Sequence, residues 1–187
     1  MSVLKFLPTH PLWLPGLGIV LAFTLSSCTT MSEGECLTVD WYEQGYRDGR
    51  QGYPASRVIN HRDACAAFGV VPDMEEYDLG RDRGLEDYCA PPNAIAQGRA
   101  GHGYGNVCPI HLEERFLFFY RQGLRVHEAQ EHLDSLTRES RVLQGQLDEA
   151  EDAEEQKRLR SELRDLDDRL ERAREQLSDS ERSLRYR

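Results

Sequence analysis

The sequence lacks any cluster of lysine and arginine residues that could neutralise the phosphates of a nucleic acid. Its 23 basic residues are outnumbered by 33 acidic ones, and the formal net charge is -10. Affinity for nucleic acids depends on basic residues that displace counterions, so this balance argues against a nucleic-acid partner. A length of 187 residues also excludes a large multidomain enzyme.

Common catalytic motifs are absent as well. The chain contains no Gly-x-Ser-x-Gly, no His-Glu-x2-His, no phosphate-binding loop and no dinucleotide fingerprint. Adjacent carboxylates such as Glu75 and Glu76 are better explained as first-turn helix residues, where a negative charge interacts favourably with the helix dipole. The sequence therefore predicts no catalytic residues, no cofactor and no enzymatic activity.

Long hydrophobic runs are missing except near the N-terminus, between Leu12 and Leu25. At about 14 residues this run is shorter than the roughly 20 that span a bilayer, but it suits a signal peptide. The residues Leu25-Ser26-Ser27-Cys28 that end it match the lipobox of bacterial lipoproteins. By that resemblance, residues 1–27 are a lipoprotein signal peptide and Cys28 receives acyl chains, which anchor a protein stably to a membrane.

Thr29 follows the lipidated position, where an aspartate would tend to retain a Gram-negative lipoprotein at the inner membrane. By resemblance to that sorting rule, we expect an outer-membrane protein facing the periplasm. Residues 28–35 are predicted to form a lipidated tether.

Without Cys28, an even number of cysteines remains: Cys36, Cys65, Cys89 and Cys108. In an exported protein they predict two disulfides, and three pairings are possible. Cys36–Cys65 with Cys89–Cys108 would close the shortest loops. A zinc site is the alternative, using the nearby His61, His102 and His111. Structural zinc sites usually have closer cysteine spacing, so we predict no metal and expect these histidines at the surface or in packing.

A short pattern recurs in the middle of the chain, as Tyr42-x2-Gly45, Tyr77-x2-Gly80 and Tyr120-x2-Gly123. The last two copies extend to Cys65-x11-Tyr77 and Cys108-x11-Tyr120, which superimpose at an offset of 43 residues. The first copy, Cys36-x5-Tyr42, is interpreted as a shortened version.

Glycines also recur at helical spacing, in the pairs Gly45/Gly49 and Gly80/Gly84. Residues four apart share a helix face, so each pair predicts a smooth strip where another backbone can approach. Asp40 and Asp73 are predicted N-caps. Residues 101–106 are expected to form a loop. Together these patterns predict an all-α body over residues 36–123 that has few leucines and isoleucines and depends on its disulfides.

The last third of the chain contains no proline after Pro109 and carries leucines at alternating spacings of three and four. This stripe predicts a coiled coil over residues 124–187. Its seam residues are Leu133, Leu136, Leu143, Leu147, Leu163, Leu166, Leu170 and Leu177. A polar interruption at 151–157 puts the two blocks out of phase. An antiparallel hairpin is favoured, while a continuous helix remains the alternative. Since the stripe must be covered, we expect self-association or a protein partner.

In combination, several motifs resemble a family of proteobacterial lipoproteins catalogued as a domain of unknown function (DUF 2799). They are the lipobox, the paired cysteines, Asp40-Trp41-Tyr42-x2-Gly45, Tyr77-x2-Gly80-x3-Gly84 and Asn106-x-Cys108-Pro109. The resemblance covers Glu35 to Arg125 and implies localisation and architecture, with the coiled coil as an extension, but no activity. The predicted function is that of a structural or interaction lipoprotein of the outer membrane. Alternatives are a docking or scaffold subunit of an envelope complex, or a cell-wall, redox or metal-binding protein of the periplasm.

Overall fold

The computed structural model describes residues 30–185, and regular structure in this part of the chain is entirely helical. The α-helices are α1 (Glu33–Thr38), α2 (Trp41–Arg50), α3 (Arg57–Cys65), α4 (Met74–Tyr88), α5 (Pro91–Arg99), α6 (Ile110–Glu149) and α7 (Ala153–Arg185). A short 3₁₀ turn, Ala66–Phe68, follows α3. The all-α prediction is confirmed. The predicted signal peptide and Cys28 lie outside the described residues.

The two predicted N-caps are confirmed. The Asp40 carboxylate accepts a hydrogen bond from the backbone N–H of Glu43 at 3.0 Å, at the start of α2. The Asp73 carboxylate accepts from the N–H groups of Glu75 and Glu76 at 3.1 and 3.2 Å, at the start of α4. Such bonds satisfy N–H groups that have no partner within the helix.

Two disulfides divide the body into two units. Cys36 is bonded to Cys65, with the Cα atoms 5.4 Å apart, and Cys89 is bonded to Cys108, with the Cα atoms 5.8 Å apart. Of the three pairings open at the sequence level, the structure has the one with the shortest loops. The first disulfide links a cysteine before α2 to one before α4, and this packed helix pair forms unit 1 with α3 (residues 36–88). The second links a cysteine before α5 to one before α6, and this packed pair belongs to unit 2 (residues 89–129).

In unit 1, α2 and α4 touch through their glycines, as the sequence predicted. A Cβ atom at Gly45 would lie 2.0 Å from the Tyr77 carbonyl oxygen, and one at Gly80 would lie 1.9 Å from the Tyr42 carbonyl oxygen. No side chain fits in such a gap. The approach is reciprocal, because each glycine meets the carbonyl oxygen three residues before the glycine of the other helix.

Unit 2 repeats this crossing with α5 and α6. A Cβ at Gly98 would lie 2.2 Å from the Tyr120 carbonyl oxygen, and one at Gly123 would lie 2.3 Å from the Ile95 carbonyl oxygen. Gly98 of α5 therefore occupies the position equivalent to Gly45 of α2. The carbonyl group that Tyr42 supplies in α2 is supplied by Ile95 in α5.

The repeat is therefore a tandem of two units, which corrects the interpretation of Cys36-x5-Tyr42 as a shortened copy of the later motif. Gly45 lies nine positions after Cys36, and Gly98 lies nine positions after Cys89. The segment at Cys36 corresponds to the one at Cys89. Isoleucine at position 95 hid this match, because the sequence pattern was defined by tyrosine.

The C-terminal part is an antiparallel hairpin of α6 and α7, which turns within residues 150–152. The turn contains neither glycine nor proline. Instead, the Asp152 carboxylate caps α7 by accepting from the Glu155 N–H at 2.9 Å, and the Gln156 amide donates to the Ala150 carbonyl at 2.7 Å. An ion pair between Glu139 and Arg169, 3.3 Å apart, links the two helices further along. Of the two architectures considered, the structure has the hairpin.

The predicted leucine seam lies between the two helices. Leu136, Leu166 and Leu170 are buried, and the other five predicted seam leucines are half-buried. Leu159 lies four residues before Leu163, the first predicted seam residue of the second block, and it is also buried. The chain thus covers its own stripe, so burial of these leucines does not require a second molecule.

The predicted boundary between residues 123 and 124 lies inside α6, which continues through it without a break. The same helix contributes to unit 2 and to the hairpin. Near the far end of α7, Glu181 is 3.6 Å from Arg99 of α5. Across residues 30–185, no helix combines the length and the apolar character needed to span a bilayer.

Candidate functional site

Unit 1 contains a cluster of three buried polar side chains, which we call the polar cluster: Asp48, His61 and Tyr77. Their exposed fractions are 3%, 1% and 0%. They come from α2, α3 and α4 respectively. Buried polar side chains are uncommon, so the cluster is the main candidate for a functional site in unit 1.

The glycine crossing brings two members of the polar cluster together. Asp48 lies three residues after Gly45, and Tyr77 lies three residues before Gly80, so both occupy the faces that meet. The Tyr77 hydroxyl donates a hydrogen bond of 2.7 Å to Oδ2 of Asp48. The close approach of α2 and α4 at their glycines therefore brings the Tyr77 hydroxyl within hydrogen-bond distance of Asp48.

The third member, His61, lies on α3, which the disulfide at Cys65 ties to α1 one turn later. Its Nε2 atom is 2.7 Å from Oδ2 of Asp48, and its Nδ1 atom is 3.0 Å from the Thr30 hydroxyl. With the proton on Nε2, the imidazole donates to Asp48 and accepts from Thr30. The amide of Gln44 donates to the other Asp48 oxygen at 3.2 Å. Every polar atom of the imidazole and the carboxylate thus has a partner.

The electrostatics favour an ionised Asp48. Burial raises the pKa of this carboxyl, but hydrogen bonds from His61 and Tyr77, with the charge of Arg57, outweigh burial and hold the pKa below its usual value. Burial and the bond to Asp48 raise the pKa of the Tyr77 hydroxyl, which stays protonated and acts as a donor. Asp48 is therefore a buried anion stabilised by donors.

A groove of about 360 Å³ opens beside the polar cluster, next to Thr30 and Gln44. The order of hydroxyl, imidazole and carboxylate, Thr30–His61–Asp48, has the sequence of groups of a hydrolytic triad. Three carboxylate side chains, those of Glu35, Asp40 and Glu43, line the groove together with Arg47, which donates to the Gln44 side chain at 2.7 Å. The carboxylates would repel the oxyanion that forms during acyl transfer, which needs hydrogen-bond donors instead. The geometry of the polar cluster suits a role in fixing three helices and the start of the body.

The histidines considered as zinc ligands are dispersed in the structure. His61 belongs to the polar cluster, His102 is exposed and bonds to the Gln97 side chain at 2.8 Å, and His111 is exposed. The cysteines are engaged in disulfides. Within residues 30–185 no group of three or more histidine, cysteine or acidic side chains could hold a metal ion.

Sequence reasoning considered His61 for zinc and packing roles but missed its partner Asp48. A signal was present, because Asp48 lies between Gly45 and Gly49 on the glycine strip of α2. An acidic residue on a strip that packs closely must be buried, and a buried carboxylate requires hydrogen-bond donors.

Unit 2 has aromatic residues in the corresponding places. At an offset of 43 residues, Tyr104 matches His61 and Tyr120 matches Tyr77. The ring centroids of His61 and Tyr77 are 6.3 Å apart, as are those of Tyr104 and Tyr120. Phe116 packs against both tyrosines of unit 2, with centroid distances of 4.8 and 5.8 Å. The repeat therefore extends to the ring positions between the helices.

Comparison with known proteins agrees with the two-unit body. Residues 40–125 match the model of one protein family, described as a protein of unknown function (DUF2799). The match begins at the N-cap of α2 and ends within α6, so it includes both glycine crossings. No curated protein and no solved structure matches the chain. This match assigns the domain that units 1 and 2 form to the DUF2799 family.

Proposed function

We propose that the protein is a lipoprotein anchored to the outer membrane, facing the periplasm, with a structural or interaction role and no catalytic activity. One observation carries the proposal: an apolar run ends in Leu25-Ser26-Ser27-Cys28, directly before the folded body. Small residues before the cysteine suit the signal peptidase of lipoproteins, and acyl chains on Cys28 would anchor the protein.

The build of the body supports an exported location. The sulfur atoms of all four remaining cysteines lie in two bonded pairs. Disulfides persist in oxidising compartments such as the periplasm. One hydrophobic cluster of the body includes both cysteines of the second disulfide beside Leu85, Ala94 and Phe116, so a disulfide is part of the core.

The hairpin supports an interaction role. The 40 residues of α6 extend about 60 Å at 1.5 Å per residue. Because the leucine seam is covered within the chain, a partner would bind the outer faces of the hairpin, which are rich in charged residues.

Acylation can be tested on the protein from cells, comparing the wild type with Cys28→Ala. We expect mass spectrometry to find an acylated Cys28 at the N-terminus of the wild type, in the outer-membrane fraction. Cys28→Ala should lose the acyl mass and the membrane association. Retention of residues 1–27, or a free Cys28 thiol in a soluble wild-type protein, would overturn the anchor.

The second candidate is a docking or scaffold subunit of an envelope complex. The observation that favours it is Val142, an apolar side chain that is 60% exposed on the outer part of α6. A photo-crosslinking residue at position 142 should yield one defined heteromeric product in intact cells if the hairpin is a docking site. A passive structural arm would yield self-links or none, and the same residue at the exposed position Arg138 controls for random collision.

A further inference from the structure

Several exposed apolar side chains lie near the point where the chain enters the body. Leu37 is 60% exposed, Phe68 is 38% exposed and Val71 is 76% exposed. Each is within a residue or two of the buried cluster that Met31 forms with the Cys36–Cys65 disulfide and Val70. We call these three residues, with Ile59 and Met74, the apolar face.

The apolar face continues into a groove. Ile59, Val71 and Met74, which are all exposed, line a depression of about 200 Å³ together with Val58, Arg62 and Pro72. The groove joins α3 to the start of α4, so these three exposed side chains share one surface. Val71 connects that surface to Val70, which packs against the cluster at the Cys36–Cys65 disulfide. Contiguous exposed apolar surface of this kind marks an interaction site.

Very few residues separate the predicted anchor at Cys28 from the first folded residues of the body. Met31 is 5% exposed and packs against the disulfide, and α1 begins at Glu33. The Thr30 hydroxyl is held by His61 at 3.0 Å. Cys28 precedes Thr30 by two residues, which span at most about 7 Å in any conformation. The predicted tether of residues 28–35 is thus mostly part of the folded body.

We propose that the apolar face lies against the lipid surface that receives the acyl chains of Cys28. The proposal rests on the proposed function, since it requires an acylated Cys28. An anchor within about 7 Å of Thr30 forces the adjoining surface of the body onto the bilayer. The apolar face belongs to that part of the molecule, and side chains of this kind insert favourably at the boundary between headgroups and acyl chains.

A lipid surface explains the distribution of exposed apolar residues better than a protein partner does. Five of the nine large exposed hydrophobic residues among those described lie between Leu37 and Met74. The hairpin beyond unit 2, residues 130–185, has Val142 alone, although it contains more residues than the segment from Leu37 to Met74. The apolar residues are concentrated where the membrane must be.

Photo-crosslinking in vesicles tests this contact. The full mature protein, purified with its acyl chains, would carry benzoylphenylalanine at position 71 and be reconstituted in vesicles of phosphatidylethanolamine and phosphatidylglycerol. A second variant carries it at Phe68. The matched control carries benzoylphenylalanine at Val142, which is also apolar and exposed. Near-ultraviolet circular dichroism checks that each variant keeps the wild-type fold.

After irradiation, mass spectrometry of the modified peptide should find phospholipid adducts at positions 68 and 71 at least about fivefold more often than at 142. Equal yields at 71 and 142, or links at 71 to protein alone, would overturn the proposal. Acylation of Cys28 is measured on the same samples. An unacylated Cys28 would refute the anchor itself, whereas an acylated Cys28 without lipid adducts at 68 and 71 would refute only the apolar face.

Discussion

Units 1 and 2 have the same frame and different interiors. In both, two helices cross at reciprocal glycines, and a disulfide links the segments that precede these two helices. Between the helices, unit 1 holds a carboxylate with its donors, while unit 2 holds stacked aromatic rings. The comparison teaches that the glycines and cysteines define the frame, and that the residues between them can be polar or aromatic without changing it.

The two interiors stabilise their units in different ways. Aromatic rings such as Phe116 contribute through apolar area, which does not depend on a particular partner. The polar cluster contributes only if each buried group keeps its hydrogen bond, since an unpaired one destabilises the fold. Unit 1 should therefore be the more sensitive to single polar substitutions and to pH.

The largest effect should come from Asp48→Ala. It leaves the Tyr77 hydroxyl and the His61 imidazole buried without an acceptor. At about 1–3 kcal/mol for each of the two unpaired groups, we expect a loss of about 2–6 kcal/mol. Denaturant unfolding measures the loss. The comparison variant in unit 2 is Tyr120→Phe, whose hydroxyl donates to the carbonyl oxygen of the exposed His102, where water can replace it, and it should cost less than about 1 kcal/mol. Equal losses would contradict the difference between the interiors.

Removing the disulfides should affect both units to a similar degree. The linked cysteines are 29 residues apart in unit 1 and 19 apart in unit 2. The chain-entropy relation gives about 3.6 and about 3.2 kcal/mol for these loops. Double replacements by alanine, measured by thermal unfolding, should follow this order. If removal of one disulfide leaves the thermal stability unchanged, that unit is stabilised by other contacts.

The glycine crossings should also respond alike. Gly80→Ala and Gly123→Ala place a methyl group 1.9 and 2.3 Å from a carbonyl oxygen, so the helices must separate. We expect each to lose about 1–3 kcal/mol or more by overpacking. Gly145→Ala is the matched control within α6, because nothing lies within 4 Å of its added methyl group. It should gain up to about 1 kcal/mol from helix propensity. A neutral Gly80→Ala would refute the crossing.

The smallest expected effect is on the pH dependence of stability at acidic pH. The pKa of Asp48 is lower in the folded protein than in the unfolded chain, where it is near 3.9. The resulting stabilisation is present above that value and is lost as the pH falls through the folded pKa. Unfolding measured between about pH 5 and 2 should therefore show a steeper loss of stability for the wild type than for Asp48→Asn. Parallel curves would mean that Asp48 is not a stabilised anion.

Local patterns predicted much of this fold. The caps at Asp40 and Asp73, the glycine strips and the leucine stripe all depend on neighbours along one helix, so spacing alone reveals them. The phase shift between the two leucine blocks indicates an interruption, and the similar lengths of the blocks favour a hairpin. These features required no knowledge of distant contacts.

The polar cluster and the true repeat depended on contacts between segments far apart in sequence. Asp48 and Tyr77 are 29 residues apart, and their contact follows from how two helices cross. The unit 2 counterpart of Tyr42 is Ile95, and what the two share is a backbone carbonyl beside a glycine. A backbone role leaves no mark in side-chain identity, so a search for tyrosine could not find it.

The uninterrupted course of α6 has a mechanical consequence. One helix of 40 residues contributes Gly123 to the crossing in unit 2 and Leu136 to the hairpin, with no hinge between them. A sideways force on the tip of the hairpin would act as a torque on the crossing of α5 and α6. The Cys89–Cys108 disulfide lies at the N-terminal end of the same helix, because Cys108 is two residues before Ile110, where α6 begins. This covalent bond would help to hold that end of α6 in place under such a force.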